Sequence, residues 1–258
     1  MARGSGNAAK EEKFEGVGGL KIFLRSWRPA SKPRGAVVIC HGVNSHGGQY
    51  IGVAEQLAAS GLAVYALDLR GRGKSEGARF YVDNIADYVS DVAATVKLAK
   101  LREPGLPVFL LGHSAGGVVS CTYTIDHQAE LAGLICESFA FKVPAPDFAL
   151  AIIKGLSYIA PRLPVLKLKN KDFSRDPKAV QALDSDPLIA NEIQPAKTRR
   201  RSGPRRRAAP EGVSTNQTAG VHCPRHRRQG DGAERKPVLL RYGRFQRQDA
   251  ETLRGTLS

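Results

Sequence analysis

In Leu110-Leu111-Gly112-His113-Ser114-Ala115-Gly116-Gly117 a serine stands between two glycines, where an apolar run gives way to a stretch of helical spacing. A chain that turns this sharply from strand to helix lifts the middle side chain clear of the backbone. A Cβ at Gly112 or Gly116 would clash within such a turn, and His113 occupies the position between the first glycine and the serine. Ser114 then sits at a helix N-terminus, where unpaired N–H groups and the helix dipole favour developing negative charge. These are the needs of acyl transfer, with the Ser114 hydroxyl as nucleophile. G-x-S-x-G alone arises by chance. Its place after four apolar residues and before an apolar helix is the context of a nucleophile elbow.

His41-Gly42-Val43 follows an earlier apolar run. The Val43 amide, with that of Ala115, would form an oxyanion hole for a tetrahedral intermediate. His41 is expected to hold this loop, and His46 and Tyr50 to serve the loop and its packing. Gly71-Arg-Gly73-Lys-Ser-Glu-Gly77 follows a strand but spaces its third glycine one residue late for a dinucleotide loop, so it reads as structural. H-E-x-x-H, Walker A and paired-cysteine motifs are missing, and Cys223-Pro-Arg-His226 lacks a second ligand pair. Neither a metal nor a cofactor is expected. Cys40, Cys121, Cys136 and Cys223 lie far apart, three of them in apolar runs, and read as reduced buried thiols.

The elements that must position Ser114 alternate. Residues 14–28 look like early edge strands, and apolar runs at 35–41, 62–67, 107–111 and 131–136 look like buried ones. Helical spacing recurs at 51–60, with Ile51, Val53, Ala54, Leu57 and Ala58 on one face. It recurs at 83–101, with Ile85, Val89, Val92, Val96 and Leu98 or Ala99 on one side, and again at 115–127. Such alternation implies a mostly parallel sheet covered on both faces. From 142 to 193 the pattern breaks into a proline-rich stretch with an apolar helix near 148–159. It is read either as a cap over the sheet's carboxyl edge or as further core packing.

Four segments together carry a resemblance. His41-Gly-Val-Asn-Ser-His-Gly-Gly-Gln-Tyr50, Asp68-Leu-Arg-Gly-Arg-Gly-Lys-Ser75, Gly112-His-Ser-Ala-Gly-Gly117 and Asp184-Ser-Asp-Pro-Leu188 resemble the monoacylglycerol lipase and lysophospholipase family of α/β-hydrolases, from about residue 14 to 193. The resemblance implies an α/β-hydrolase core over 1–142, a lid or cap over 143–196, and hydrolysis of carboxylic esters of single acyl chains. It implies Ser114 as nucleophile, Val43 and Ala115 as oxyanion donors, and a lipid ester substrate; with such a substrate, peripheral membrane contact through the cap is a further expectation. The family's acid and base should lie beyond residue 200, in an HGxxD strand end and a GxxH loop.

Composition divides the chain at that point. A length of 258 residues with 42% apolar and 24% charged side chains suits one large α/β domain or two small ones. No apolar run reaches the ~18 residues of a membrane span, and the polar segment Met1–Lys13 carries no secretory signal, so a cytoplasmic protein is expected. Yet Arg199–Ser258 holds 14 Arg and one Lys against two Asp and three Glu, a net +10 of the chain's +15. Its acids (Glu211, Asp231, Glu234, Asp249, Glu251) and histidines (His222, His226) follow no buried strand, so no triad acid or base is identifiable in this chain.

Codons compatible with Lys236–Ser258, read one base later, give S-Q-F-F-Y-D-T-A-G-S-K-D-K-T-L-K-L-Y-E-G-H-F, with a further histidine completed by the T of a stop codon. Arg199–Asp231 likewise yields an amphipathic helix, then an apolar strand ending in H-G-T-A-D. Both missing motifs emerge in family order. One surplus base, or two missing, near codons 198–199 is the expectation, which leaves residues 197–258 an out-of-frame, poorly ordered tail and the written chain inactive. The alternatives are a disordered solvated tail, or a non-catalytic relative whose Arg199–Arg201 and Arg205–Arg207 bind anionic lipid or nucleic acid. Nucleic acid is disfavoured because no aromatics interleave the arginines.

Overall fold

In the computed structural model, residues 8–138, 164–166, 169–190 and 193–195 are described. The apolar helix expected near 148–159 and the tail over 197–258 lie outside them.

A six-stranded sheet runs in the order β1-β2-β4-β3-β5-β6. Its strands are β1 (Lys10–Glu15), β2 (Lys21–Trp27), β3 (Ala36–Cys40), β4 (Ala63–Leu67), β5 (Val108–His113) and β6 (Gly133–Glu137). β3 pairs in parallel with β4 and β5, and β5 with β6; β1 and β2 add an antiparallel edge. Helices α1 (Ile51–Ala59), α2 (Ile85–Arg102) and α3 (Ala115–Asp126) connect the parallel strands. This is the parallel sheet expected, and its central strands show why their sequences do not alternate. All five residues of β3 and of β4 are buried, because helices cover both faces. Val38, Tyr65 and Leu110 pack with Val92, Val96, Val119 and Tyr123 of α2 and α3. Val37, Ile39 and Val64 pack with Ala54 and Leu57 of α1. Each such aliphatic contributes roughly 1.5–3 kcal/mol relative to leaving it in water.

Helix α2 begins where Asn84 accepts a hydrogen bond from the Ala86 amide, with Asp87 in its first turn and Lys100 and Arg102 in its last, as the helix dipole favours. Asp91 lies within its buried stripe and is paired there: Arg70 grips it through Nε and Nη2, and the Arg70 amide donates to it as well.

Two expectations need correction. Ile51 and Val53 do not share the buried face of α1; they are 42% and 46% exposed, and Ala54 with Leu57 and Ala58 makes the contact. A helix docked on a flat sheet buries a narrower stripe than its apolar residues cover. The first strand also begins at Lys10, four residues before the expected edge. Lys10-Glu-Glu-Lys13 has no apolar period to reveal it, and it is held by pairing to Phe23–Ser26 of β2 and by Arg102 gripping Glu12.

Beyond the sheet, β7 (Pro164–Leu166) and β8 (Gln194–Pro195) pair antiparallel, and α4 (Pro177–Asp184) is capped by Asp176, whose side chain accepts from the Lys178 amide. The stretch around α4 returns to the core through buried Ile189 and through Arg79, which donates to the Leu188 carbonyl. No helix among the described residues is long and apolar enough to cross a membrane.

Candidate active site

Ser114 caps α3 directly after β5, with φ 53° and ψ −120°, a left-handed φ that costs a non-glycine residue about 1–3 kcal/mol and persists only where its surroundings enforce it. Enforcement comes from both sides. The Ser114 amide donates to the Glu137 carbonyl of β6 at 2.9 Å, and the Ser114 carbonyl accepts from the Gly117 amide at 2.9 Å. The flanking glycines are required by contact. A Cβ on Gly112 would lie 2.6 Å from Ser120 Oγ and 2.7 Å from the Gly116 carbonyl oxygen. One on Gly116 would lie 2.3 Å from the carbonyl oxygens of both Cys40 and His41. So the helix start is pressed against the end of β3, and the serine is left half-buried at the sheet's carboxyl edge.

That pressure brings the loop after β3 to the serine. A Cβ on Gly42 would be 3.1 Å from Ser114 Cβ and 3.1 Å from the His113 carbonyl oxygen, which places Val43 one residue beyond direct contact with the elbow. Ala115 is the first residue of α3, where amides have no partner within the helix. His41 holds this loop, as its sequence context suggested. Its Nε2 accepts from the Leu69 amide at 3.0 Å, so its Nδ1 carries the proton donated to the Gly42 carbonyl at 2.7 Å. Burial lowers its pKa to about 4, keeping the ring neutral. Tyr50 reaches His113, with its hydroxyl 2.8 Å from Nδ1, so the residue between Gly112 and Ser114 is tied to the same loop.

Two ties escaped the sequence. Asp68, fully buried after β4, accepts from the amides of Gly47 (2.7 Å) and Lys74 (2.8 Å) and from Arg25 Nη1 (3.2 Å). It thereby joins the Gly71–Gly77 turn to the loop beside the serine, which gives that turn its structural role. Gly73 is forced there, since a Cβ would meet Asp68 Oδ2 at 2.1 Å. Asp186 lies 2.8 Å from His46 Nε2, while His46 Nδ1 accepts from the Gly48 amide. Burial would raise the Asp186 carboxyl, but His46, the Leu188 amide and Gln49 together hold it below the ordinary range. Asn44 likewise hydrogen-bonds Asn170. The motif ending at Leu188 thus anchors the segment around α4 onto the loop that carries Val43. Spacing to the glycines signals the first tie; nothing local signals the second, whose partners are 140 residues apart.

The four described histidines are all engaged away from the serine. His41, His46 and His113 make the bonds given above, and His127 stacks on Tyr123 with its Nδ1 2.7 Å from Glu130. Among the described residues no group of three His, Cys, Asp or Glu could hold a metal.

Residues 31–200 match the family model described as serine aminopeptidase S33. A monoacylglycerol lipase of Mycolicibacterium smegmatis is 38% identical over 190 residues, covering 72% of this chain and 67% of that protein. The chain belongs to this family of α/β-hydrolases. The monoglyceride lipase of Homo sapiens is 34% identical over 174 residues, 66% of this chain and 57% of its own length. Among solved structures, the monoacylglycerol lipase of Paleococcus ferrophilus aligns with a TM-score of 0.58 at 32% identity, over 67% of this chain and 65% of that one. The chain therefore spans about two thirds or less of the family members it matches. The α/β-hydrolase fold expected from the sequence is present.

Proposed function

We propose that the protein in its intact form is a serine hydrolase that cleaves carboxylic esters of single acyl chains, of the monoacylglycerol or lysophospholipid kind, through an acyl-enzyme on Ser114. The observation that carries this reading is the strained left-handed Ser114 at the start of α3, held against the loop of Gly42 and Val43. Ser114 Oγ attacks the acyl carbonyl carbon and passes its proton to a histidine base. The Val43 and Ala115 amides hold the oxyanion until the alcohol leaves with that proton. Water then enters, gives its proton to the base, and releases the fatty acid. Residues 143–196 act as a cap that admits the acyl chain and touches the membrane surface from which it comes.

Base and acid come from outside the written chain. The family match ends at residue 200, and the arginine-rich composition begins at Arg199. Codons compatible with the residues from that point, read one base later, can spell H-G-T-A-D and then G-H-F in the family's order. A base gained or two lost near codons 198–199 accounts for the end of the match, the change of composition and this codon compatibility together. The written chain then keeps only what the elbow and the oxyanion amides contribute.

Hydrolysis of a short-chain nitrophenyl ester tests the reading. The frame-restored protein should turn over, and Ser114→Ala should lower its kcat by roughly 10⁴-fold or more. The written chain should match that variant. Turnover in the restored protein that survives Ser114→Ala would refute the nucleophile.

A further inference from the structure

Cys121 on α3 and Cys136 on β6 place their sulfurs 3.5 Å apart. Both are reduced and buried, with residue exposures of 5% and 4%. A third buried thiol makes the contrast: burial pushes Cys40 up to about 12. At Cys136 the hydrogen bond with Cys121 outweighs burial and holds the thiol below its ordinary range. A thiol that shares a proton with a neighbour in this way is the more easily deprotonated member of the pair.

We propose that Cys121 and Cys136 form an oxidation site at which a hydroperoxide closes a disulfide between α3 and β6. The Cys136 thiolate attacks the terminal peroxide oxygen, the O–O bond breaks, and a sulfenic acid forms with release of the alkoxide (hydroxide from hydrogen peroxide), which takes up the proton Cys136 gave. The Cys121 sulfur then attacks the sulfenic sulfur; the S–O bond breaks, and its oxygen leaves as water with the Cys121 proton. Two thiols are oxidised, one hydroperoxide is reduced, and with hydrogen peroxide two waters result. The sulfurs must close from 3.5 Å to ~2.05 Å, a short approach of one strand toward one helix.

The location gives the site its consequence. Ser114 caps α3, and the residue after Cys136 is Glu137, whose carbonyl accepts the Ser114 amide at 2.9 Å. Drawing β6 onto α3 therefore acts on the nucleophile's backbone from its flank. The 3.5 Å sulfur separation and the neighbouring elbow set this pair apart from Cys40.

The full-length chain, freed of reductant and exposed to hydrogen peroxide, is then denatured, alkylated and cleaved at Glu130, which lies between the two cysteines. Four alkylatable thiols should fall to two, with the Cys121 and Cys136 peptides joined and a mass lower by two hydrogens, and dithiothreitol should restore all four. In Cys121→Ser, dimedone should trap Cys136 as its sulfenic acid. The wild-type peptide map decides even where a variant fails to fold. Four thiols left alkylatable, a sulfinic acid at Cys136 without the cross-link, or a cross-link to Cys40 or Cys223 would each overturn the proposal.

Discussion

β3 and β6 both flank the strand that delivers Ser114, and they are finished to different degrees. β3 is paired on both edges, and all five of its residues are buried. Its following loop is fixed by His41, Asp68 and the steric press of Gly116. Among the described residues β6 is paired on one edge only, and Ile135 on it is 37% exposed. Its Leu134, Ile135 and Cys136 form an apolar stretch of the kind that is covered in the middle of a sheet. Ser114 thus has one completed flank, which carries one of the two amides proposed to hold the oxyanion. Among the described residues the other flank carries no further strand, and on the proposed reading the family's remaining strands, acid and histidine would arrive there. The surroundings of Ser114 on the β3 side are fixed by contacts within residues 36–138 and by three reaching in from Arg25, Asn170 and Asp186.

The contrast can be broken or sharpened by mutation. On the completed flank, Gly116→Ala drives a methyl into two backbone carbonyls that have nowhere to move. It should cost more than ~3 kcal/mol, read as loss of the cooperative denaturant transition. Ile39→Ala, in a fully buried position of β3, should cost roughly 3 kcal/mol by urea midpoint at constant slope.

His41 gives the same flank a pH signature. Its folded pKa of about 4 lies below the unfolded value of 6.5, so between these the unfolded chain binds more protons and stability rises with pH. The contribution is whole above 6.5 and is lost as pH falls through 4. It reaches ~3 kcal/mol, and chemical denaturation across that window should show a slope that His41→Gln abolishes.

The smallest effect belongs to the open flank. Ile135→Ala should cost ~1 kcal/mol or less in the written chain, since the side chain is already part-exposed. In the frame-restored protein the same change should approach the Ile39→Ala value. Equal costs at Ile39 and Ile135 in the written chain would end the distinction between the two flanks.

Much of this architecture is legible in the residues themselves. The runs Ala36–Cys40 and Ala63–Leu67 announce buried parallel strands because nothing polar interrupts them, and Gly112-x-Ser114-x-Gly116 announces its turn because only glycine fits both sides. What stays hidden depends on distance along the chain. Asp68 looks like one more loop acid until Arg25, 43 residues away, and Gly47 converge on it. The Cys121 and Cys136 sulfurs meet only because α3 packs on β6. Ile51 and Val53 mislead in the other direction, since apolar spacing states which residues could be buried but not how wide a stripe the neighbouring sheet will cover. On the proposed reading the base and acid are hidden for a different reason: they belong to a reading frame other than the one translated here.

The nucleotide sequence across codons 190–258, read from independent source material, tests the central claim most directly. The account predicts that one base removed, or two inserted, near codons 198–199 opens a continuous frame through H-G-T-A-D and G-H-F-H, giving Ser114 its acid and its base. A confirmed frame as written, with codons that do not spell those motifs one base later, would contradict it.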